Sequence, residues 1–202
     1  MKTSRILILF AHPALHKSRV NRVMMRTVRA LDGVTFHDLY QIYPEFHIDV
    51  KHEQRLLGEH DIVVFQYPYL WFNVPALIKE WQDLVLVHGW AYGHQGDALL
   101  GKKVLSVITT GGGEDAYRKN TFNRFTVREL LAPLEQMAIR CRMEFLPPFV
   151  VHGTFRMAED EIRKHAVDYS RMMEALRDNR VDFGRARGLE RINADLDTVI
   201  RD

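Results

Sequence analysis

A doubly wound α/β domain with a parallel sheet in the order 2-1-3-4-5 is the fold class predicted by three features of this sequence. Five strand candidates are separated by segments with helical periodicity, the arrangement that forces parallel pairing through crossover helices. Several of these strands are apolar at successive positions, as strands covered on both faces must be. Two of them run directly into loops of unusual composition, an aromatic one after residue 68 and a glycine-rich one after residue 108.

Taken in order, Ile6 to Phe10 fits a first central strand, and Ala11 to Lys17, with Pro13 inside it, must be a loop. Ser18 fits the N-cap of a helix whose buried face is Val20, Val23, Met24, Thr27, Val28 and Leu31, with Gly33 as its stop. Val34 to Leu39 alternates as a strand. Tyr40 to Val50 carries Pro44 and mixed polarity and reads as a long surface loop before a short helix over His52 to Leu57. Ile62 to Phe65 is a buried strand ended by Pro68. Asn73 suits the cap of the next helix and Pro75 its first turn, with Leu77, Ile78, Trp81, Leu84 and Val85 as the buried face.

Val104 to Ile108 repeats the buried-strand pattern and leads into Thr109, Thr110, Gly111, Gly112 and Gly113, a turn with little side-chain volume. Thr126 to Ile139 reads as helix, kinked or divided at Pro133. Met143 to Val151 contains a last strand interrupted by Pro147 and Pro148, and a long amphipathic helix follows from Ala158 to about Arg177. The reading divides the chain into a domain over residues 1–178 and a tail over 179–202. In the tail Leu189, Ile192, Leu196, Val199 and Ile200 share one helical face, suited to docking on this subunit or on another.

Composition narrows the function classes. At 202 residues and 47% hydrophobic content the chain can bury a core without staples, and a single cysteine, Cys141, excludes an internal disulfide framework and points to the cytoplasm. The apolar run Ile6 to Ala11 is too short for a signal-peptide core, and no segment is long enough to span a membrane. A net charge of +2 with interleaved signs gives no field for nucleic acid. The ten histidines include no H-x-x-x-H with an acidic partner on a helix, so no metal site is expected. Cys141, among apolar neighbours, reads as a buried inert thiol.

Chemistry is indicated at the sheet's carboxyl edge, where open α/β sheets bind ligands. Backbone N–H groups at the helix beginning near Ser18 suit a phosphate. Ser18 and Asn21 can add hydrogen bonds to it or simply cap the helix, and Lys17, Arg19 and His12 can offset or donate to an anion. Tyr69, Leu70, Trp71 and Phe72 are either core or a ligand platform. Neither G-x-G-x-x-G nor G-K-[ST] occurs, and G-x-S-x-G is also missing.

AHPALHKSRVN, QYPYLWFNVPALIKEW, HGWAYGHQGDALLGKKV and TTGGGEDAY, in this order and spacing, resemble the flavodoxin-like NAD(P)H:quinone oxidoreductases over roughly Arg5 to Arg177. Within that family DLYQIYPEFHIDV, HGWAYGH and LPPF look most like the ancillary flavoproteins of glutathione-regulated potassium-efflux systems. The resemblance implies a flavodoxin-like three-layer sandwich with a five-stranded parallel sheet. It implies FMN or FAD as cofactor and NAD(P)H as co-substrate, with ping-pong two-electron transfer to a quinone. It also implies a homodimer and a membrane potassium-efflux antiporter as partner, which would bring a cytoplasmic protein to the inner membrane. By the same resemblance His12, Ser18, Arg19, Val20 and Asn21 hold the flavin phosphate and ribityl end. Pro68, Tyr69, Leu70, Trp71 and Phe72 line the ring, and Thr109, Thr110, Gly111 and Gly112 present N–H groups to its edge. Tyr117 faces the ring's hydrogen-bonding edge as the catalytic residue, and Tyr92 belongs to the wall of the substrate pocket supplied by a neighbouring subunit. Mammalian members pair this tyrosine with a following histidine, whereas here no histidine occurs between Gly113 and Val151.

Overall fold

β1 (Ile6–Phe10) is fully buried along its length because it lies in the middle of a sheet covered on both faces. In the computed structural model, which describes residues 3–201, it pairs in parallel with β2 (Val34–Asp38) on one side and β3 (Ile62–Pro68) on the other. β3 pairs with β4 (Lys103–Thr109), and the far side of β4 carries β5 (Glu144–Phe145) and β6 (Phe149–Val151) end to end. The order is therefore β2-β1-β3-β4 followed by one strand broken in two, as expected from Pro147 and Pro148, which cannot donate to the ladder. Met1, Lys2 and Asp202, which fall within the readings of the chain start and the tail, lie outside the described residues.

Side-chain alternation along β1 separates two cores. Ile6, Ile8 and Phe10 join α1 (Arg19–Val28) and α7 (Glu159–Arg177) on one face, while Leu7 and Leu9 join Trp81 of α4 (Ala76–Val85) and Leu134 of α6 (Ala132–Arg140) on the other. Among the described residues no helix is long and apolar enough to cross a membrane.

Several boundaries differ from the sequence reading, each for a local reason. The stretch read as loop after residue 39 contains α2 (Leu39–Ile42), capped by Asp38, with Leu39 and Tyr43 buried beneath it. α3 spans Val50–Glu59 because Asp49 caps it, so it starts before His52. α1 ends at Val28, and Gly33 instead occupies the left-handed region (φ 75°) in the turn into β2, with the Arg177 side chain against it. Asn73 does not cap α4: its Oδ1 accepts from the neighbouring Val74 N–H at 2.8 Å, and the helix begins after Pro75. The helical stretch after Thr126 divides into α5 (Val127–Leu130) and α6, with Pro133 in the first turn of α6.

The tail is not one helix. α8 (Phe183–Ala186), a 3-10 turn over Ile192–Ala194 and α9 (Leu196–Val199) follow one another, and Ile192, Leu196 and Val199 enter the core shared with α1 and α7. Val181 and Ile200 close the segment in an antiparallel bridge. The apolar face seen in the sequence is thus buried on the chain's own domain.

Candidate functional site

Three loops leave the sheet's carboxyl edge side by side because the strands before them are in register. Ala11 N–H donates to Gln66 O at 3.0 Å, Tyr69 N–H to Thr109 O at 2.8 Å and Thr110 N–H to Val151 O at 2.9 Å. They enclose a cavity of about 310 Å3 lined by His12, Ser18, Arg19, Val20, Asn21, Pro68, Tyr69, Leu70, Thr109 and Gly111 among others. Ten of the residues singled out in the sequence are therefore brought together.

At one end the cavity meets the start of α1. Ser18 Oγ accepts the Asn21 N–H at 3.1 Å, so Ser18 is a helix cap, and the N–H groups of Arg19 and Val20 lie beyond the reach of intrahelical carbonyls. The Asn21 side chain is 2% exposed and donates to Thr109 Oγ1 at 2.9 Å, tying α1 to β4, while its Oδ1 is buried without a partner among the described residues. The Arg19 guanidinium turns to Glu159 at 2.5 Å, and Lys17 also lines the cavity. His12 Nδ1 accepts the Ala14 N–H at 3.1 Å, which puts the proton of the neutral ring on Nε2. Burial lowers the pKa of His12, so the ring is neutral at pH 7 and offers one N–H.

At the other end stands the glycine turn. Among the described residues no hydrogen bond takes up the N–H of Gly111 or Gly112. Phe155 from the loop after β6 lies over Gly111: a Cβ there would sit 2.2 Å from the Phe155 ring, so with Phe155 in this position only glycine fits. Thr154 lines the same wall and fixes Thr110, its N–H and hydroxyl both donating to Thr110 O at 3.0 and 3.1 Å.

Trp71 and Phe72 adopt positive φ (51° and 60°), a costly conformation for aromatic residues. Trp71 is 93% exposed, so it is not core. Trp71 and Tyr92 line a second, wider groove of about 870 Å3, which Leu70 shares with the first cavity. Tyr92 stacks there under Arg140, 5.1 Å from the guanidinium. Cys141 borders the groove but is 2% exposed, and burial raises its pKa, as suits an inert thiol. Thr110, Gly112 and Tyr117 are not among the cavity lining. The buried Tyr117 ring meets Phe72 edge-on at 6.5 Å, and burial raises its pKa, so its hydroxyl stays protonated.

Sequence reasoning missed His152, Thr154 and Phe155. The His152 ring lies 5.3 Å from that of Tyr117, so the tyrosine has a histidine neighbour after all, one residue past the interval in which the sequence lacks one. The signal was available: these residues follow a strand at the same sheet edge that positions the other loops.

One polar cluster lies apart. Glu53, fully buried, accepts from His37 Nε2 at 2.8 Å, Tyr43 hydroxyl at 2.5 Å and Trp81 Nε1 at 2.8 Å, with His52 alongside. Both carboxylate oxygens are taken by protein donors, which makes the group a clamp joining β2, α3 and α4.

A family model described as "Flavodoxin-like fold" matches residues 4–173. A glutathione-regulated potassium-efflux system ancillary protein KefG from Serratia proteamaculans is 46% identical over 82% of this chain and 90% of its own. The structure of general stress protein 14 from Treponema denticola in complex with FMN superposes with a TM-score of 0.82 at 40% identity, covering 85% of this chain and 99% of that one. That of an NADPH-quinone reductase from P. pentosaceus does so with a TM-score of 0.76 at 31% identity, covering 83% and 96%. The chain belongs to the flavodoxin-like family that these quinone reductases and potassium-efflux ancillary proteins represent.

Proposed function

We propose that this chain is a flavin-dependent NAD(P)H:quinone oxidoreductase that uses FMN. The observation that carries the reading is the cavity at the sheet edge, lined by a helix N-terminus, His12 and Gly111, whose N–H no hydrogen bond among the described residues takes up. FMN in the Treponema relative and the NADPH-quinone reductase relative support the choice of cofactor and reaction. The residues fit such a group: the buried Asn21 Oδ1 lacks a partner among the described residues, and the Gly111 backbone lines the cavity with no side chain of its own.

When bound, the flavin supplies two-electron transfer between a nicotinamide and a quinone. The start of α1, with Ser18, Arg19 and Val20, holds the phosphate, and Lys17 offsets its charge. Pro68, Tyr69 and Leu70 pack against the ring, with Trp71 and Phe72 at its rim. The N–H of Gly111 would stabilise negative charge at the ring edge, and the Tyr117 hydroxyl, protonated at neutral pH, would be a second donor from the same turn. Nicotinamide and quinone take turns in one pocket. Trp71, Leu70 and Phe72 are exposed beside the wide groove containing Tyr92, which supports a homodimer whose partner closes the pocket.

Purified protein tests this directly. The expected result is a flavin absorbance spectrum, FMN as the released cofactor by mass analysis, and quinone-dependent NAD(P)H oxidation. Protein that stays colourless after incubation with FMN and with FAD would overturn the reading.

A second reading rests on the KefG relatives: a cytoplasmic ancillary subunit that activates a potassium-efflux antiporter and is held peripherally at the inner membrane by it. Co-purification with the antiporter's cytosolic domain, and its absence, separate the outcomes. The two readings are compatible.

A further inference from the structure

We propose that Arg191, in the C-terminal segment, is a positioning residue for the turn Gly111–Tyr117; the inference rests on the functional reading above for what that turn does. The matched family model ends at residue 173, so Arg191 lies outside it. Yet the segment reaches the site. Arg191 is paired with Glu114, which opens the 3-10 turn Glu114–Ala116 leading into Tyr117. Directly after it, Ile192 N–H donates to Pro148 O at 2.9 Å, and Asn193 grips the free edge of β6, its Oδ1 accepting from Val150 N–H and its Nδ2 donating to Val150 O, both at 2.9 Å. The Asn193 amide thus completes a strand edge that would otherwise be open. Ile192 is fully buried, which anchors the backbone from which Arg191 projects.

The geometry makes the arginine more than a surface ion. Its side chain is 25% exposed, and its positive charge opposes protonation of the His152 ring. Arg191 therefore ties the loop after β4, through Glu114, to the segment that Asn193 fastens on β6. The two ends of the turn are held from within the site, Gly112 O by the Gly153 N–H at 2.9 Å and the Thr110 hydroxyl at 2.8 Å, and Tyr117 by its buried ring. Between them the Glu114 side chain is held by Arg191, from a segment far along the chain.

The test compares full-length wild type with R191Q, R191K, the charge swap E114R/R191E, and N193A, which removes the strand clamp and leaves the arginine. Hydrogen exchange of the Gly111–Tyr117 amides is measured on flavin-free protein, thermal melting on the same samples, and FMN affinity by fluorescence quenching. Arg191→Gln should speed exchange across Gly111–Tyr117 by about tenfold and weaken FMN several-fold, with Arg191→Lys and the swap recovering most of both. Asn193→Ala should lower the melting temperature and leave exchange in the turn unchanged. If Arg191→Gln leaves that exchange at the wild-type rate, or moves it no more than Asn193→Ala does, the segment is a stabilising cap and the proposal is wrong. Faster exchange in a protein that binds no flavin in any form keeps the positioning role and removes the functional reading instead.

Discussion

The Thr110 hydroxyl lies 3.0 Å from Nδ1 of His152, joining the turn after β4 to the first residue beyond β6. That hydroxyl also sits 2.8 Å from the Gly112 carbonyl oxygen. It has one proton; donated to Gly112, it leaves the Thr110 oxygen to accept from Nδ1–H of a neutral His152. Burial, and then the charge of Arg191, push the His152 pKa down to about 4, consistent with a neutral ring.

This bond predicts a pH dependence of stability. In the unfolded chain His152 takes a proton near the ordinary histidine value of 6.5, whereas in the folded chain it does so only at about 4. Between those values the unfolded state binds more protons, so stability falls as the pH is lowered through the window. At about 1.4 kcal/mol per pH unit, reduced for partial solvent exposure, the loss is on the order of 2 kcal/mol. His152→Asn keeps a donor for Thr110 and should flatten that part of the curve. Urea unfolding of both proteins at pH 7 and pH 5 measures it; equal pH dependence would exclude His152 as the titrating group.

Most of the architecture was legible in the sequence because buried parallel strands are apolar at nearly every position, as Ile6 to Phe10 and, apart from Ser106, Val104 to Ile108 are. The cavity lining was legible where a short segment carries both the strand and its loop, as from Ile62 to Leu70. What escaped depends on contacts distant in sequence. Phe155 matters because it covers Gly111, 44 residues earlier, as His152 matters because it reaches Thr110; following the last strand marks their sheet edge but not these contacts. The tail's single helical face misled for a related reason: Ile192 and Leu196 are buried by separate turns, a 3-10 turn and α9, that reproduce helical spacing.

Glu53 should be a large contributor to stability and a small one to activity. Burial pushes its pKa up, but the bonds from His37, Tyr43 and Trp81 outweigh burial and hold it below the usual carboxylate range. Its contribution is therefore present above the unfolded carboxylate value and lost as the pH falls through the depressed folded one. Glu53→Ala leaves three buried donors unpaired and should cost about 3 kcal/mol. Chemical denaturation reads the loss; a change under 1 kcal/mol would mean the cluster relaxes around the missing carboxylate.

Asn21→Asp places an acid at the unpaired buried oxygen, beside the helix terminus assigned to the phosphate. FMN affinity should fall by about 2 kcal/mol, roughly thirtyfold, while Asn21→Ala should cost less because it adds no charge. Fluorescence titration compares the two. An Asp variant that binds no more weakly than the Ala variant would move the phosphate elsewhere.

Gly111→Ala should displace Phe155, the side chain that its Cβ would strike. Phe155 is 83% exposed and can swing outward, so the cost in folding should stay near 1 kcal/mol, whereas the new methyl still occupies the cavity wall. Adding Phe155→Ala should restore the melting temperature without restoring FMN binding. Full recovery of binding in the double variant would show that the glycine serves only to accommodate the phenyl ring.

Tyr117 is held between Phe72 and His152, buried and protonated, directly behind the glycine turn. Removing only its hydroxyl leaves both ring contacts in place, and the residues assigned to the phosphate are on a different loop, so Tyr117→Phe should bind FMN as tightly as wild type. If the hydroxyl donates to the charge that develops at the ring edge during reduction, its loss raises the barrier by about 1.4 kcal/mol, close to tenfold in rate. Stopped-flow reduction of the bound flavin by NAD(P)H isolates that step from quinone reduction. A tenfold slower reduction at unchanged affinity assigns the hydroxyl to catalysis, whereas reduction at the wild-type rate reduces Tyr117 to a packing residue between Phe72 and His152.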